Sequence, residues 1–228
     1  MKIKFGLLTV LFSTFAAFAE PVSPIIGLGQ ENFDFSVSDI GQSRPALNFE
    51  PNMAGVSRLG INAFGFGIGY SFRGSNDSLD PRKGTTTFYD LQLGYHTRKW
   101  GLDSFYQTYQ GFYTGNTVAL QTFPDLKFKH YGLMGRWALS DTDFSVGGLL
   151  DQSNEIRKSA GKFYVIGGVR HHSMETSTSL LQQENANINR EVENLRKIEV
   201  TSINGGFGYG HYFISQSKFF VGALSEHY

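Results

Sequence analysis

Along much of this chain, large apolar residues alternate one by one with glycine or polar residues, the period of a strand that shows one apolar face. From Phe64 to Phe72, residues Phe64, Phe66, Ile68, Tyr70 and Phe72 fall on one face, and Gly65, Gly67, Gly69 and Ser71 on the other. From Phe88 to His96, Tyr89, Leu91, Leu93 and Tyr95 oppose Phe88, Asp90, Gln92, Gly94 and His96, with aromatics at both ends of the apolar pair. From Tyr131 to Leu139, Tyr131, Leu133, Trp137 and Leu139 oppose Gly132, Met134, Arg136 and Ala138. Ile203, Phe207, Tyr209 and Phe213 sit among Gly205, Gly206, Gly208 and Gly210, where the parity slips and the faces stay unassigned.

Weaker patterns predict strands at Phe33 to Ile40, Ala46 to Glu50, Leu102 to Tyr113, Phe144 to Asp151, Ser159 to Arg170 and Lys218 to Leu224. The region from Leu59 to Phe72 reads either as one long strand or as a hairpin turning near Ala63. The connections alternate: Gly74 to Thr85 long, Arg98 to Gly101 short, Gly115 to Asp125 long, Ser140 to Asp143 short. That asymmetry is expected of a membrane barrel, with long loops outside and short turns in the periplasm. Counting onward puts the longest connection, His172 to Glu199, on the short-turn side, against the rule. Within it Leu181, Ile188, Val192 and Leu195 have a loose helical spacing, which suits a docking helix or a solvated helical loop.

The N-terminus changes the compartment. Lys2 and Lys4, an apolar run from Phe5 to Phe18, and Ala17-Phe18-Ala19 before Glu20 form the layout of a secretory leader. Residues 1–19 are expected to be removed, and residues 20–228 to form one domain. Beyond that segment no stretch is long and apolar enough for a membrane helix, so a membrane crossing would have to be a closed barrel. A soluble exported β-protein is the alternative at this length.

Composition narrows the chemistry. With no cysteine there are no disulfides, thiolate metal sites or cysteine nucleophile. A net charge of +0 gives no basic field for nucleic acid. The 21 Phe, 11 Tyr and 27 Gly with a slightly negative mean hydropathy match a wall that is apolar and aromatic outward, polar and small inward.

Candidate sites are few. His171-His172 is the one adjacent histidine pair, and on a continuing strand the two rings would diverge. Ser153-Asn154 with His171 or His172 is the only arrangement resembling a barrel hydrolase, and no Gly-x-Ser-x-Gly elbow accompanies it. Asp90 and Asp103 are the nearest thing to paired carboxylates. Asp90, Gln92, His96 and Arg136 read better as a self-neutralising inward network, the usual filling of a narrow barrel. The Gly-x-Gly-x-Gly runs at Gly65 to Gly69 and Gly206 to Gly210 lack phosphate-loop spacing and read as small inward positions. Lys127 and Lys129, flanking Phe128, would meet solvent at the rim or lipopolysaccharide phosphates.

Three blocks carry a family resemblance: Phe88-Tyr89-Asp90-Leu91-Gln92-Leu93-Gly94-Tyr95 with Trp100-Gly101-Leu102-Asp103, then Tyr109-Gln110-Gly111-Phe112-Tyr113, then Phe144-Ser145 with Lys158-Ser159-Ala160-Gly161. From about Pro51 onward the chain resembles an uncharacterised bacterial outer-membrane group, domain-of-unknown-function family 4421. The resemblance implies an outer-membrane barrel and supplies no reaction or functional residue. Ser225-Glu226-His227-Tyr228 fits a closing strand poorly, which leaves open a chain cut short at its C-terminus.

The expectation is therefore an all-β protein, a transmembrane antiparallel up-and-down β-barrel of about 10–12 strands in the bacterial outer membrane. It would serve a structural, small-solute or surface-binding role, with no catalytic residue, cofactor or metal assigned. A Ser/His outer-membrane lipid hydrolase and a soluble periplasmic β-protein are the alternatives. The expected partners are outer-membrane lipids, lipopolysaccharide and the barrel-assembly machinery, not nucleic acid, with the oligomeric state open.

Overall fold

The computed structural model describes residues 2–5, 9–12, 22–38, 47–53, 55–73, 79–115, 120–140, 144–145, 158–178, 195–214 and 220–227. In chain order its strands are β1 (Lys2–Phe5), β2 (Thr9–Phe12), β3 (Val22–Asn32), β4 (Phe35–Ser38), β5 (Leu47–Phe49), β6 (Val56–Ala63), β7 (Phe66–Arg73), β8 (Thr87–His96), β9 (Trp100–Thr114), β10 (Gln121–Ala138), β11 (Ala160–Glu175), β12 (Lys197–Ile214) and β13 (Phe220–His227). One 3-10 turn, Pro81–Lys83, precedes β8, and the described residues contain no α-helix.

Ten strands form one sheet in the order β13-β12-β11-β10-β9-β8-β7-β6-β3-β2, and β1, β4 and β5 form a second, three-stranded sheet. Every ladder is antiparallel, so the all-β, up-and-down reading holds. Among the described residues no ladder joins β2 to β13. Within the stretch expected to be a leader, β1 pairs with β4 and β2 with β3.

The hairpin reading of Leu59 to Phe72 is the one the backbone adopts. Phe64 (φ 53°) and Gly65 (φ 85°) form the two-residue turn between β6 and β7, with positive φ at both positions as the strand twist requires. A side chain at Gly65 would collide with the His96 carbonyl.

Several expectations are corrected. The segments 33–40 and 46–50 supply β4 and β5, which lie in the small sheet and are not staves of the large one. Phe144 and Ser145 are not in a strand, and the rest of 144–151 lies outside the described residues. Because β10 pairs directly with β11, from Lys127↔Glu175 to Ala138↔Tyr164, the connection after Glu175 returns to the same end as the other long connections. The exception moves to the connection between β10 and β11: where a short Ser140–Asp143 turn was expected, residues 139–159 form one connection as long as 176–196, at the opposite end. In β12 the parity does not slip: Ile203, Phe207, Tyr209 and Phe213 all face outward, and Gly205 merely leaves one outward position without a side chain. Finally, β3 is a strand the periodicity did not show, since Pro24 on its outward face and Ile25 on its inward face interrupt its pattern. Of the residues proposed for a helix in the long connection, Leu195 is described and is not helical, while Leu181, Ile188 and Val192 lie outside the described residues.

The outward face of β3 and β6–β12 is apolar and open. Pro24, Ile61, Ile68, Leu93, Ser104, Leu133, Val169 and Ile203 lie in register across eight adjacent strands. Ile203 is 87% exposed and Ile26 67%. Aromatic rows bound this band. Tyr89 and Tyr95 on β8, Trp100 and Tyr106 on β9, and Tyr131 and Trp137 on β10 each stand six residues apart, a height of about 20 Å along the strands. Tyr106 stacks between Tyr89 and Tyr131, at 6.1 Å from each, in the row near the long connections. Tyr95 meets Phe66 and Trp100 in the opposite row.

Candidate functional site

The opposite, inner face is built in layers, because the alternation that exports Tyr and Leu sends every second residue inward. Nearest the long connections the layer is aromatic. Phe88, Tyr109, Phe128 and Met174 are buried there on β8–β11, together with Phe33, Phe35, Val37 and Phe49 from β4, β5 and the residue after β3. Phe33 follows β3, four ladders from β9, about 19 Å away in a flat sheet. Its ring nevertheless stacks on Tyr109 at 4.6 Å and meets Phe128 at 4.7 Å. The chain after β3 therefore crosses the inner face, and Phe35 stacked on Phe49 at 4.8 Å completes the layer.

Hydrogen bonds fasten this end. Glu50 and Tyr113 exchange backbone bonds of 2.9 and 3.0 Å, joining the end of β5 to β9. Buried Asn52 donates its Nδ2 to the carbonyls of Asp80 and Gly84, and its amide to Thr86 Oγ1, which donates to the Gly111 carbonyl. Arg82, hydrogen-bonded to Asp80 through side chain and backbone, holds that carboxyl below its ordinary value. The hydrogen bond from Lys83 to the Tyr113 hydroxyl raises the Lys83 ammonium above its own.

One layer inward, the register aligns Arg58, Ser71, Asp90, Gln107, His130 and His172 on six consecutive strands. Arg58 donates to Gln92, and Gln92 to Asp90. His130 Nδ1 lies 3.2 Å from Gln107 Oε1, and its ring stacks on His172 at 4.2 Å and 15°. Nearer the short turns, Asp103 is shared by His96, at 2.9 Å, and Arg136. Glycines make room for these groups: a Cβ at Gly69 would meet the Arg58 guanidinium, and one at Gly101 the His96 ring. Last come buried Lys162, donating to the Arg98 carbonyl, and Phe144, stacked on Tyr212 at 4.9 Å. A cavity of about 20 Å³, lined in part by His96, Arg136, Phe144, Lys162 and Tyr164, has room for a water molecule.

This arrangement places the expected residues plainly. Asp90, Gln92, His96 and Arg136 do face inward and are engaged there. Asp90 and Asp103 do not form an acid/base pair, because Asp103 is level with Gly94, four residues or about 13 Å along β8 from Asp90. His171 faces outward, against Tyr131 and Thr201, while His172 faces His130, so the adjacent rings diverge. Ser153 lies outside the described residues. The described residues contain no cluster of three or more His, Asp or Glu placed to hold a metal. Sequence reasoning missed His130, whose even position would have placed it inside had the β10 alternation been extended back from Tyr131. It also missed Asn52 and the aromatic layer, whose contacts come from connections with no period to read.

No curated protein and no solved structure matches the chain. Its residues 28–226 match the family described as "Domain of unknown function (DUF4421)", and the chain belongs to that family.

Proposed function

We propose that this chain resides in a bacterial outer membrane, crosses it on β3 and β6–β13 as a sheet closed on itself, and acts as a filled barrel with a structural or surface-binding role. The exposed apolar band between two aromatic rows carries the reading. An apolar face across eight strands, broken in that row only by Ser104, far exceeds what a soluble monomer leaves in water. Its bounded height, with Tyr and Trp at both borders, suits a bilayer's hydrocarbon layer. No helix among the described residues is long and apolar enough to cross a membrane, so strands would do the crossing. Lipid offers no partner for a strand edge, so residence there demands closure.

The inner layers favour a structural or docking role over a diffusion pore. A ring-filled layer at one end, and ion pairs with Phe144 and Tyr212 at the other, leave little space for a water path. The test is gel migration of the lipid-reconstituted chain with and without heating. The expected result is a heat-dependent shift together with silence in planar-bilayer conductance. Identical migration, with extraction into detergent-free buffer, would overturn the membrane assignment; stepwise conductance would overturn the filled interior.

A further inference from the structure

Among the described residues, the outward face of the strands carries Lys and Glu charge in only one place. Among strand residues whose side chains are described, the outward lysines are Lys127 and Lys129 on β10 and Lys197 on β12, and they cluster with Glu175 and Glu199. The other described cations of the large sheet, Arg58, Arg73, Arg136, Lys162 and Arg170, take inward positions. Lys127, Glu175 and Lys197 lie directly opposite one another on three strands, and Lys129, Ser173 and Glu199 form the next row. Lys129 bonds Glu175 at 3.0 Å and Lys197 bonds Glu199 at 2.9 Å. The side chains of these four are 29% to 59% exposed.

Depth and sector say what this patch meets. Tyr131, His171 and Thr201 stand in register in the aromatic row at the long-connection end. Lys129 and Lys127 lie two and four residues beyond Tyr131 on the same face, about 7 and 13 Å past the row. In a bilayer that is the headgroup layer, just outside the aromatic belt. At the Lys129 level the neighbouring strands β9, β8, β7 and β6 present Thr108, Tyr89, Phe72 and Ser57, with no charge. Lysines serving only to wet the rim would have no reason to gather in one sector. Within these two rows three ammonium groups stand against two carboxylates, beside tyrosines that hold the acyl boundary, while the carboxylate of Asp125, two residues beyond Lys127, is taken up by Thr176, Ser177 and Thr178.

We infer that the outward face of β10–β12 beyond Tyr131 is a docking site for the phosphate groups of outer-leaflet lipid, with Lys127, Lys129 and Lys197 as phosphate ligands. The inference rests on the membrane reading above. The connections 33–55, 74–86 and 176–196 lie at this end against 139–159 at the other, and long connections mark the outer side of such a barrel, so the lipid is the phosphorylated saccharide lipid of that leaflet. Glu175 and Glu199 hold the lysines extended and spaced, and can exchange one ammonium contact each for a lipid phosphate.

The test uses the full chain in phosphatidylcholine vesicles, with lipopolysaccharide added to some and inorganic phosphate to others. The readouts are lipopolysaccharide bound per protein and the temperature at which the heat-sensitive gel band is lost. The native chain should retain lipopolysaccharide and hold its folded band several degrees higher. Each Lys→Gln change should weaken retention about five-fold, and K127Q/K129Q/K197Q about a hundred-fold, with the band in plain phosphatidylcholine unmoved. Equal retention by the triple variant would overturn the site, and equal protection by inorganic phosphate would overturn its assignment to lipid. If the native chain shows no heat-sensitive band even in plain vesicles, the membrane reading itself has failed, which separates the two failures.

Discussion

At the long-connection end, the inner face is closed by rings that come largely from outside the ten-stranded sheet: Phe33, Phe35 and Phe49 are laid over Tyr109 and Phe128. At the short-turn end it is closed by charges fixed to the strands, with Asp103 of β9 joining His96 of β8 to Arg136 of β10. Ring packing is strong but only loosely directional, so it seals a space without specifying which residue of one strand faces which of the next. A carboxylate held between a guanidinium and an imidazole does specify it, because a one-residue slip would turn one partner out of the face. The first end therefore supplies bulk stability, and the second fixes the register of three strands.

The largest effect that can test this division is at the rings. Phe35→Ala should destabilise the folded chain by about 3–5 kcal/mol, read as a lower urea midpoint in lipid vesicles. Phe35 is 1% exposed and packs on Phe49 and Phe112. A midpoint within error of the native chain would mean that β4 and β5 are decoration on the sheet. The charges should show a different signature. Arg136→Met alone leaves Asp103 without its guanidinium and should cost about 3 kcal/mol, whereas D103L/R136M should recover most of that loss. Losses that simply add in the double variant would deny that the two residues act as a pair.

How much of this was legible in the sequence follows from the same contrast. The outer face could be read on β7, β8 and β10, where Tyr95, Leu133 and their neighbours alternate with Gly94, Gly132 and other small or polar residues. Alternation gives a period, not a side: Phe33, Phe35 and Val37 alternate as lipid-facing residues would, yet they turn into the core. The ion pairs were half legible. Asp90, Asp103 and Arg136 could be placed inward, but their partners depend on register, which the turn from Thr97 to Lys99 fixes through Thr97 Oγ1, Trp100 and Lys99 rather than through any period. β3 escaped notice because Pro24 stands on its outward face and Ile25 on its inward face, which blurs an alternation that Gly27 and Gly29 otherwise fit.

Glycines sharpen the comparison at a smaller scale, since those of the inner face are crowded, whereas Gly135, Gly167 and Gly205 on the outer face are open. A Cβ at Gly208 would stand 2.3 Å from the Tyr164 ring, which is itself 1% exposed. Gly208→Ala should therefore cost about 1–3 kcal/mol. At Gly167, on the outer face, a Cβ meets nothing within 4 Å. Gly167→Ala should lie within about 0.5 kcal/mol of the native chain, and urea titrations of the two variants side by side give the answer. If Gly167→Ala proved the more damaging, the assignment of the two faces on β11 and β12 would be inverted.

The smallest effect is electrostatic and confined to the long-connection end. Asp80 caps Pro81–Lys83 by accepting from the amide and guanidinium of Arg82, and these bonds hold its carboxyl below the ordinary 3.8. A depressed folded value means that the cap is fully effective above the ordinary carboxylate range and is lost only as the pH falls through the lowered value. Asp80 lies in a partly exposed surface turn, so the loss should loosen the turn without moving the global unfolding midpoint. Carbon-detected NMR of the Asp80 carboxyl should give a midpoint below 3.8, with the Arg82 amide shift following the same curve. A midpoint at 3.8 would mean that the cap forms no lasting bond in solution. In that case the buried bonds from Asn52 to the carbonyls of Asp80 and Gly84 would hold the turn, and Asn52→Ala would release it at every pH.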